Sequence, residues 1–234
     1  MFSYVLLSLT KCVSALFYRF QVEWLSHDRF EVVDEVRLLV LLNHTSLFEP
    51  LLVSVTPFQV IWHICRRLQI PVADTTSQRP IVGRLLTSLV PGMVPISRKR
   101  DHSWQQFLSQ ISEKTLVAIL PEGRMKRGNG LDKFGNPMTV RGGVADILGR
   151  IDSGKILFVY SGGLHHIQIP GEAKVGLFKS IRVNLEMVDV VDYKQQLQAA
   201  DQPAFVRNVV NDMQARLRSH VPHCPAQPCN RLQR

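Results

Sequence analysis

Three apolar runs constrain the fold more than anything else in this chain: Arg37–Leu42 (RLLVLL), Thr115–Leu120 (TLVAIL) and Lys155–Tyr160 (KILFVY). Each lacks the one-sided alternation of a strand with a wet face. A strand apolar on both faces is a central strand covered by helices on either side. Each run also ends abruptly in polar or turn-forming residues: Asn43-His44-Thr45-Ser46, Pro121-Glu122-Gly123 and Ser161-Gly162-Gly163.

The rest of the chain fits around those strands. Met93–Ser97 (MVPIS) is another short strand, and Phe30–Val33 is a further candidate. Pro50–Val55 starts an apolar segment that continues past Pro57 into FQVIWHICRRL. Residues 80–90 open at Pro80 and stop at Pro91-Gly92, as a helix would. SWQQFLSQISEK predicts a helix with Ser103 as N-cap and Trp104, Phe107, Leu108 and Ile111 on one face. TVRGGVADILGRI reads as helical in its second half. From Ser180, Ile181, Val183, Leu185 and Met187 alternate with polar residues, the pattern of an edge or antiparallel strand. A basic amphipathic helix over 203–219 opens near Pro203. Strands alternating with helices predict an α/β fold with a mixed, largely parallel central sheet flanked by helices.

At 234 residues the chain has room for one α/β domain rather than two. We expect a membrane-associating segment over 1–28, a main domain over 29–220 and a Pro/Cys-containing tail over 221–234. Cys12, Cys65, Cys224 and Cys229 follow no framework spacing, which reads as a reducing compartment. His223, Cys224 and Cys229 lack the usual zinc spacing, so no metal site is assigned.

The net charge of +9 draws the surface toward polyanions. No finger, basic-zipper or aromatic-sheet signature supports nucleic acid. That leaves an anionic membrane or a phosphate-bearing ligand. In the N-terminal segment, Phe2, Val5, Leu6, Leu9, Val13, Leu16, Phe17 and Phe20 fall within about 120° of a helical wheel, with Lys11 opposite. Lys11 interrupts a run that needs about 20 apolar residues to span a bilayer. The segment is expected to lie in the lipid interface on the cytoplasmic face, although the same stripe could pack on the protein's own core.

Ligands of open α/β sheets bind outside the carboxyl ends of strands. Polar clusters follow three of the predicted strands. In the first, Glu49 lies five residues after His44, and residues so spaced are about 140° apart on a helix. His44 must therefore sit on a turn, with Glu49 in the first helical turn opened by Pro50. From there the carboxylate folds back to orient the imidazole as a general base. The second cluster, Ser97–Arg100, offers arginines for bidentate phosphate binding. In the third, Glu122 is expected to face the crevice, with Gly123 allowing a tight turn.

The order of these clusters resembles the glycerolipid acyltransferases of the lysophosphatidic-acid acyltransferase type. The family block N-H-x-S-x-x-D is matched by Asn43, His44, Ser46 and, with one added methylene, Glu49. G-x-x-x-I-x-R is matched by Gly92, Ile96 and Arg98. P-E-G-T/S-R is matched by Pro121, Glu122 and Gly123, with Arg124 one residue early because the Thr/Ser is missing. A fourth, V-P-V-type block corresponds only loosely to LFVYSGG. The resemblance spans roughly Leu38 to Gly163.

The resemblance implies a membrane-associated O-acyltransferase with catalytic His44 and Glu49, the other matched residues binding substrate. It would need no metal or cofactor. Acyl-CoA or acyl-carrier protein would be the donor and a lysolipid the acceptor. A lyso-aminolipid acceptor, or a non-catalytic lipid-binding role on the same scaffold, are the alternatives. A metallohydrolase built on His44, Glu49, His63 and His165-His166 is disfavoured because no two of these histidines are four apart. A serine hydrolase lacks its G-x-S-x-G elbow.

Overall fold

The computed structural model describes residues 2–74, 88, 92–97, 101–170 and 174–223. At its centre, β2 (Val36–Leu42) lies between β5 (Leu116–Ile119) and β6 (Lys155–Ser161), parallel to both. These are the three doubly apolar runs. Among the described residues the sheet has seven strands in the order β1 (Arg19–Trp24), β7 (Ser180–Asp189), β6, β2, β5, β3 (Leu68–Ala73), β4 (Met93–Ile96). Only β7–β6 pairs antiparallel, so β1 and β7 run against the other five strands.

Both faces are covered, as the central runs require. On one, α3 (His102–Ser109), α4 (Gly143–Leu148), α5 (Val190–Gln196) and α6 (Gln202–Ser219) bury Leu38, Val40, Ile119, Ile156, Phe158 and Tyr160. On the other, α1 (Phe2–Phe17), α2 (Phe58–Arg67) and two 3₁₀ helices, Phe30–Glu35 and Glu49–Val55, cover Leu116, Ala118, Leu157 and Val159. In β2 the even-numbered Leu38, Val40 and Leu42 are fully buried and the odd-numbered Leu39 and Leu41 only partly. The difference arises because Leu39 and Leu41 face a cavity.

Several elements depart from the sequence reading. Phe30–Val33 is not a strand but part of the first 3₁₀ helix, closed by Val36 N–H to Val33 O. Both edges of β2 are already paired, which leaves it no partner there. The apolar segment from Pro50 divides into a 3₁₀ helix, then α2, then β3. β3 is concealed in the sequence by Pro71, which sits beyond Gln69, the last residue of β3 paired with β5. A missing N–H is tolerated where one side of a strand is free.

The N-cap of α3 is Asp101, not Ser103, its carboxylate taking Ser103 N–H at 3.0 Å and Ser103 Oγ–H at 2.7 Å. β7 is antiparallel as expected, yet it is internal because β1 pairs along its outer side. α1 ends at Phe17, and Phe20 belongs to β1. Residues 80–90, apart from 88, together with Arg98–Arg100, Cys224 and Cys229, lie outside the described residues.

Candidate active site

Strand β2 ends at Leu42, and the next residue, Asn43, turns with φ +67°. Non-glycine residues rarely hold a positive φ, Asn being among the more tolerant. Two neighbouring segments pin this turn. Asn43 donates its side-chain amide to Ser161 O at the end of β6 (2.8 Å). Glu122, just past the end of β5, accepts Asn43 N–H on one carboxylate oxygen and His44 N–H on the other, both at 2.8 Å. Lys126 N–H reaches His44 O at 2.8 Å. The first and third clusters of the sequence, 78 or more residues apart, therefore form one structure.

His44 is largely buried and lines the cavity. Its Nδ1–H donates to Glu49 Oε2 at 2.6 Å, which fixes the tautomer and leaves Nε2 as the acceptor nitrogen. The other oxygen of Glu49 accepts Thr45 N–H at 2.8 Å and Ser46 N–H at 3.2 Å. Glu49 opens the 3₁₀ helix, with Pro50 in its first turn, which is the fold-back that the five-residue spacing demands. Burial alone would lower the His44 pKa, but the charge and hydrogen bond of Glu49, with Glu122 adding to them, raise it above its ordinary value. Burial pushes the Glu122 carboxyl up, against the pull of the two amide N–H groups and His44.

The cavity has a volume of about 980 Å³. Its floor is the apolar sheet face carrying Leu39, Leu41, Ala118, Leu157 and Val159, and Leu7 of α1 closes part of the opposite wall. The other end, beside Pro121, Gly123 and Ile96, is basic: Arg124, Arg127, Lys133 and Arg141 all line it. Apolar and cationic side chains thus line the same space, with His44 on its wall.

The remaining candidates divide by what they touch. Pro121, Gly123, Ile96 and Arg124 line the cavity. Glu122 does not face the crevice as the sequence reading had it; it turns inward to hold the Asn43–His44 turn from behind. Asn43 and Ser46 are buried, Ser46 Oγ accepting Phe48 N–H at 3.1 Å and meeting Gln168 at 3.3 Å. Gly92 holds φ +72°, and a Cβ there would lie 1.9 Å from Leu68 O, so only glycine fits the approach of β4 to β3. Arg124 is gripped by buried Asp132, which also takes Phe134 N–H at 2.7 Å and Asn136 N–H at 3.0 Å.

Sequence reasoning missed Asp132, Arg141, Thr45 and Gln168. Thr45 accepts Leu164 N–H at 2.8 Å. Arg141 stacks its side chain by Gly123 and reaches Glu122 O at 3.4 Å. None of these has a local pattern, since each acts across a gap of 18 or more residues or inside an irregular loop. Among the described residues no group of His, Cys, Asp and Glu side chains forms a metal site.

A family model described as Acyltransferase matches residues 25–159, more than half of the chain, and the chain belongs to that family. The three ordered blocks at the strand ends fall within the matched region. No curated protein matches the chain. Among solved structures it is similar to the 1-acyl-sn-glycerophosphate (LPA) acyltransferase, PlsC, from Thermotoga maritima, with a TM-score of 0.50 and 15% identity. The match covers 91% of this chain and 80% of that one. At that identity the likeness is one of fold, the same mixed, largely parallel sheet flanked by helices.

Proposed function

We propose that this acyltransferase moves a fatty acyl group from acyl-CoA or acyl-carrier protein to a hydroxyl of a lysophospholipid, with His44 as general base. The observation that carries this reading is the 2.6 Å His44–Glu49 pair opening onto a cavity with an apolar floor. His44 Nε2 takes the proton of the acceptor hydroxyl while the oxygen attacks the thioester carbonyl. The C–S bond breaks, and the imidazolium returns the proton to the departing thiolate. Glu49 stabilises the imidazolium between those steps. The products are the acylated lipid and a free thiol.

Arg124 is occupied by Asp132, which leaves the acceptor's anionic head group to the other cations of the basic rim, Arg127, Lys133 and Arg141. Arg98 would join them as the block-two arginine. The chain would work at the cytoplasmic face of a membrane. No helix among the described residues is long and apolar enough to cross one. Instead α1 turns Phe2, Val5, Leu9, Val13 and Leu16 outward, while Lys11 donates inward to Ser54 O at 2.6 Å and Ser14 to Leu51 O at 3.1 Å. Leu7, with Tyr4 and Leu6, packs α1 on the protein, so its outward apolar stripe is left over for a lipid interface.

The test is acylation of a panel of lysophospholipids and lyso-aminolipids by the purified protein, with thiol release and product mass both followed. Wild type acylates a phosphate-bearing lysolipid, and the acceptor it prefers defines the head-group class. Absence of turnover with every donor and acceptor would favour a lipid-binding role without catalysis.

A further inference from the structure

We propose that the loop Lys174–Lys179 is a second membrane-inserting element, with Leu177 and Phe178 at its tip, which docks beside α1 on an anionic bilayer. The proposal rests on the membrane reading of α1 and adds to it a segment that carries no helical stripe. Phe178 is 75% exposed and Leu177 48%, with Val175 exposed as well. Three large apolar side chains within four residues form an unusual concentration on a soluble surface.

Phe178 also holds φ +58°, one of two non-glycine residues with positive φ among those described. For a bulky residue this is a strained conformation, kept only where its surroundings impose it. The other such residue, Asn43, sits in the active site. The strain at Phe178 does not serve to bury its ring, which is 75% exposed and lies 5.8 Å from the Phe17 ring between centroids.

The surroundings that impose it also join the loop to α1. Phe178 N–H donates to Phe17 O at the end of α1 at 2.9 Å, while Arg19 N–H at the start of β1 reaches Lys179 O at 3.0 Å and Gly176 N–H ties the loop to Ile167 O, after β6, at 2.7 Å. A Cβ on Gly176 would lie 2.7 Å from His166 O, so the loop is pressed against the body at that point. Leu177 and Phe178 are held out between these anchors, next to the end of α1 where Leu16 is 72% exposed. Helix and loop therefore present apolar side chains as one rigid unit. Exposed Lys174, Lys179 and Arg19 flank them, the arrangement that suits acidic head groups around an inserted apolar tip. That charge commits the occupant to an anionic lipid surface rather than a second copy of this basic chain.

The test uses the full chain and vesicles of phosphatidylcholine, with and without phosphatidylglycerol. Phe178→Asn removes the ring and supplies a residue that tolerates the left-handed backbone. It is expected to weaken vesicle partitioning about ten-fold while thermal stability stays level or rises. Leu177→Ser should weaken partitioning in the same direction, and both variants should turn over a monomeric short-chain acceptor at the wild-type rate. Vesicle binding unchanged in both variants, but lost in Leu9→Asp and Val13→Asp, would overturn the loop's role and leave the membrane reading of α1 intact. Binding unchanged in all four would overturn both. A concentration-dependent dimer in wild type that Phe178→Asn abolishes would also overturn it, by assigning the tip to a partner copy.

Discussion

The carboxylate of Glu122 binds the backbone of His44: its two oxygens take the N–H groups of Asn43 and His44, each at 2.8 Å. A side chain at the end of one central strand thus sets the conformation of the turn that ends its neighbour. The candidate base is positioned through its main chain by Glu122 and through its ring by Glu49.

Glu122→Gln keeps one oxygen and replaces the other with an amide that cannot accept an N–H. A buried donor left without a partner costs about 1–3 kcal/mol. In a chain of this size that corresponds to a fall in Tm of several degrees, at about 2–4 °C per kcal/mol. Calorimetry should show that fall together with a lower kcat, because the His44 turn loosens. An unchanged Tm would mean that the turn does not depend on Glu122.

Glu49→Gln should lower kcat by at least about ten-fold and also move the acid limb of the pH–rate profile. A base works in its neutral form, so activity rises with pH through the His44 pKa. Glu49 is the leading cause that raises that pKa, and its removal should shift the limb to lower pH. Glu49→Asp keeps the charge and restores the residue found in the related block, so its limb should stay raised. A limb that stays in place in Glu49→Gln would show that another group sets it.

The same pair makes stability depend on pH. Because the folded pKa of His44 is raised, its contribution is complete below the ordinary histidine value of about 6.5. It is lost as pH rises through the folded pKa. The difference in Tm between wild type and His44→Ala should therefore be larger at low pH than at high pH. The opposite trend would contradict the ion pair.

Gly92→Ala should destabilise the protein strongly, since the added methyl would meet Leu68 O at 1.9 Å on a backbone already at φ +72°. Gly128→Ala is the matched control, with nothing within 4 Å of its added carbon. The first should lose soluble yield or several degrees of Tm, at about 2–4 °C per kcal/mol, and the second neither. Equal behaviour of the two would remove the backbone argument for the block-two glycine.

Arg141→Ala should raise KM for a phosphate-bearing acceptor with little change in kcat, the signature of lost binding shared by ground and transition states. Arg124→Ala, already paired with Asp132, should have the smaller effect on KM and the larger on loop stability. Steady-state kinetics with a lysophospholipid decide between them.

The parts of this protein that were legible in its sequence are those governed by local pattern. β2, β5 and β6 had to be apolar on both faces, and β7 announced itself by alternation. β1 was absorbed into α1 because Phe17 and Phe20 extend the helical stripe across a boundary that no residue marks. β3 was hidden by a proline that its sparse pairing tolerates. His44 and Glu49 could be paired because five residues separate them. The inward turn of Glu122, the capture of Arg124 by Asp132 and the arrival of Arg141 at the basic rim depend on tertiary contacts of the loop after β5. The fold and the His44–Glu49 pairing were therefore readable, whereas the division of labour among the charges was not.

If His44 is the base for acyl transfer, single-turnover acylation of a lysophospholipid must separate wild type from His44→Ala. A loss of about 10²–10⁴-fold in the chemical step is expected, with acceptor binding retained. Equal single-turnover rates in the two proteins would contradict it.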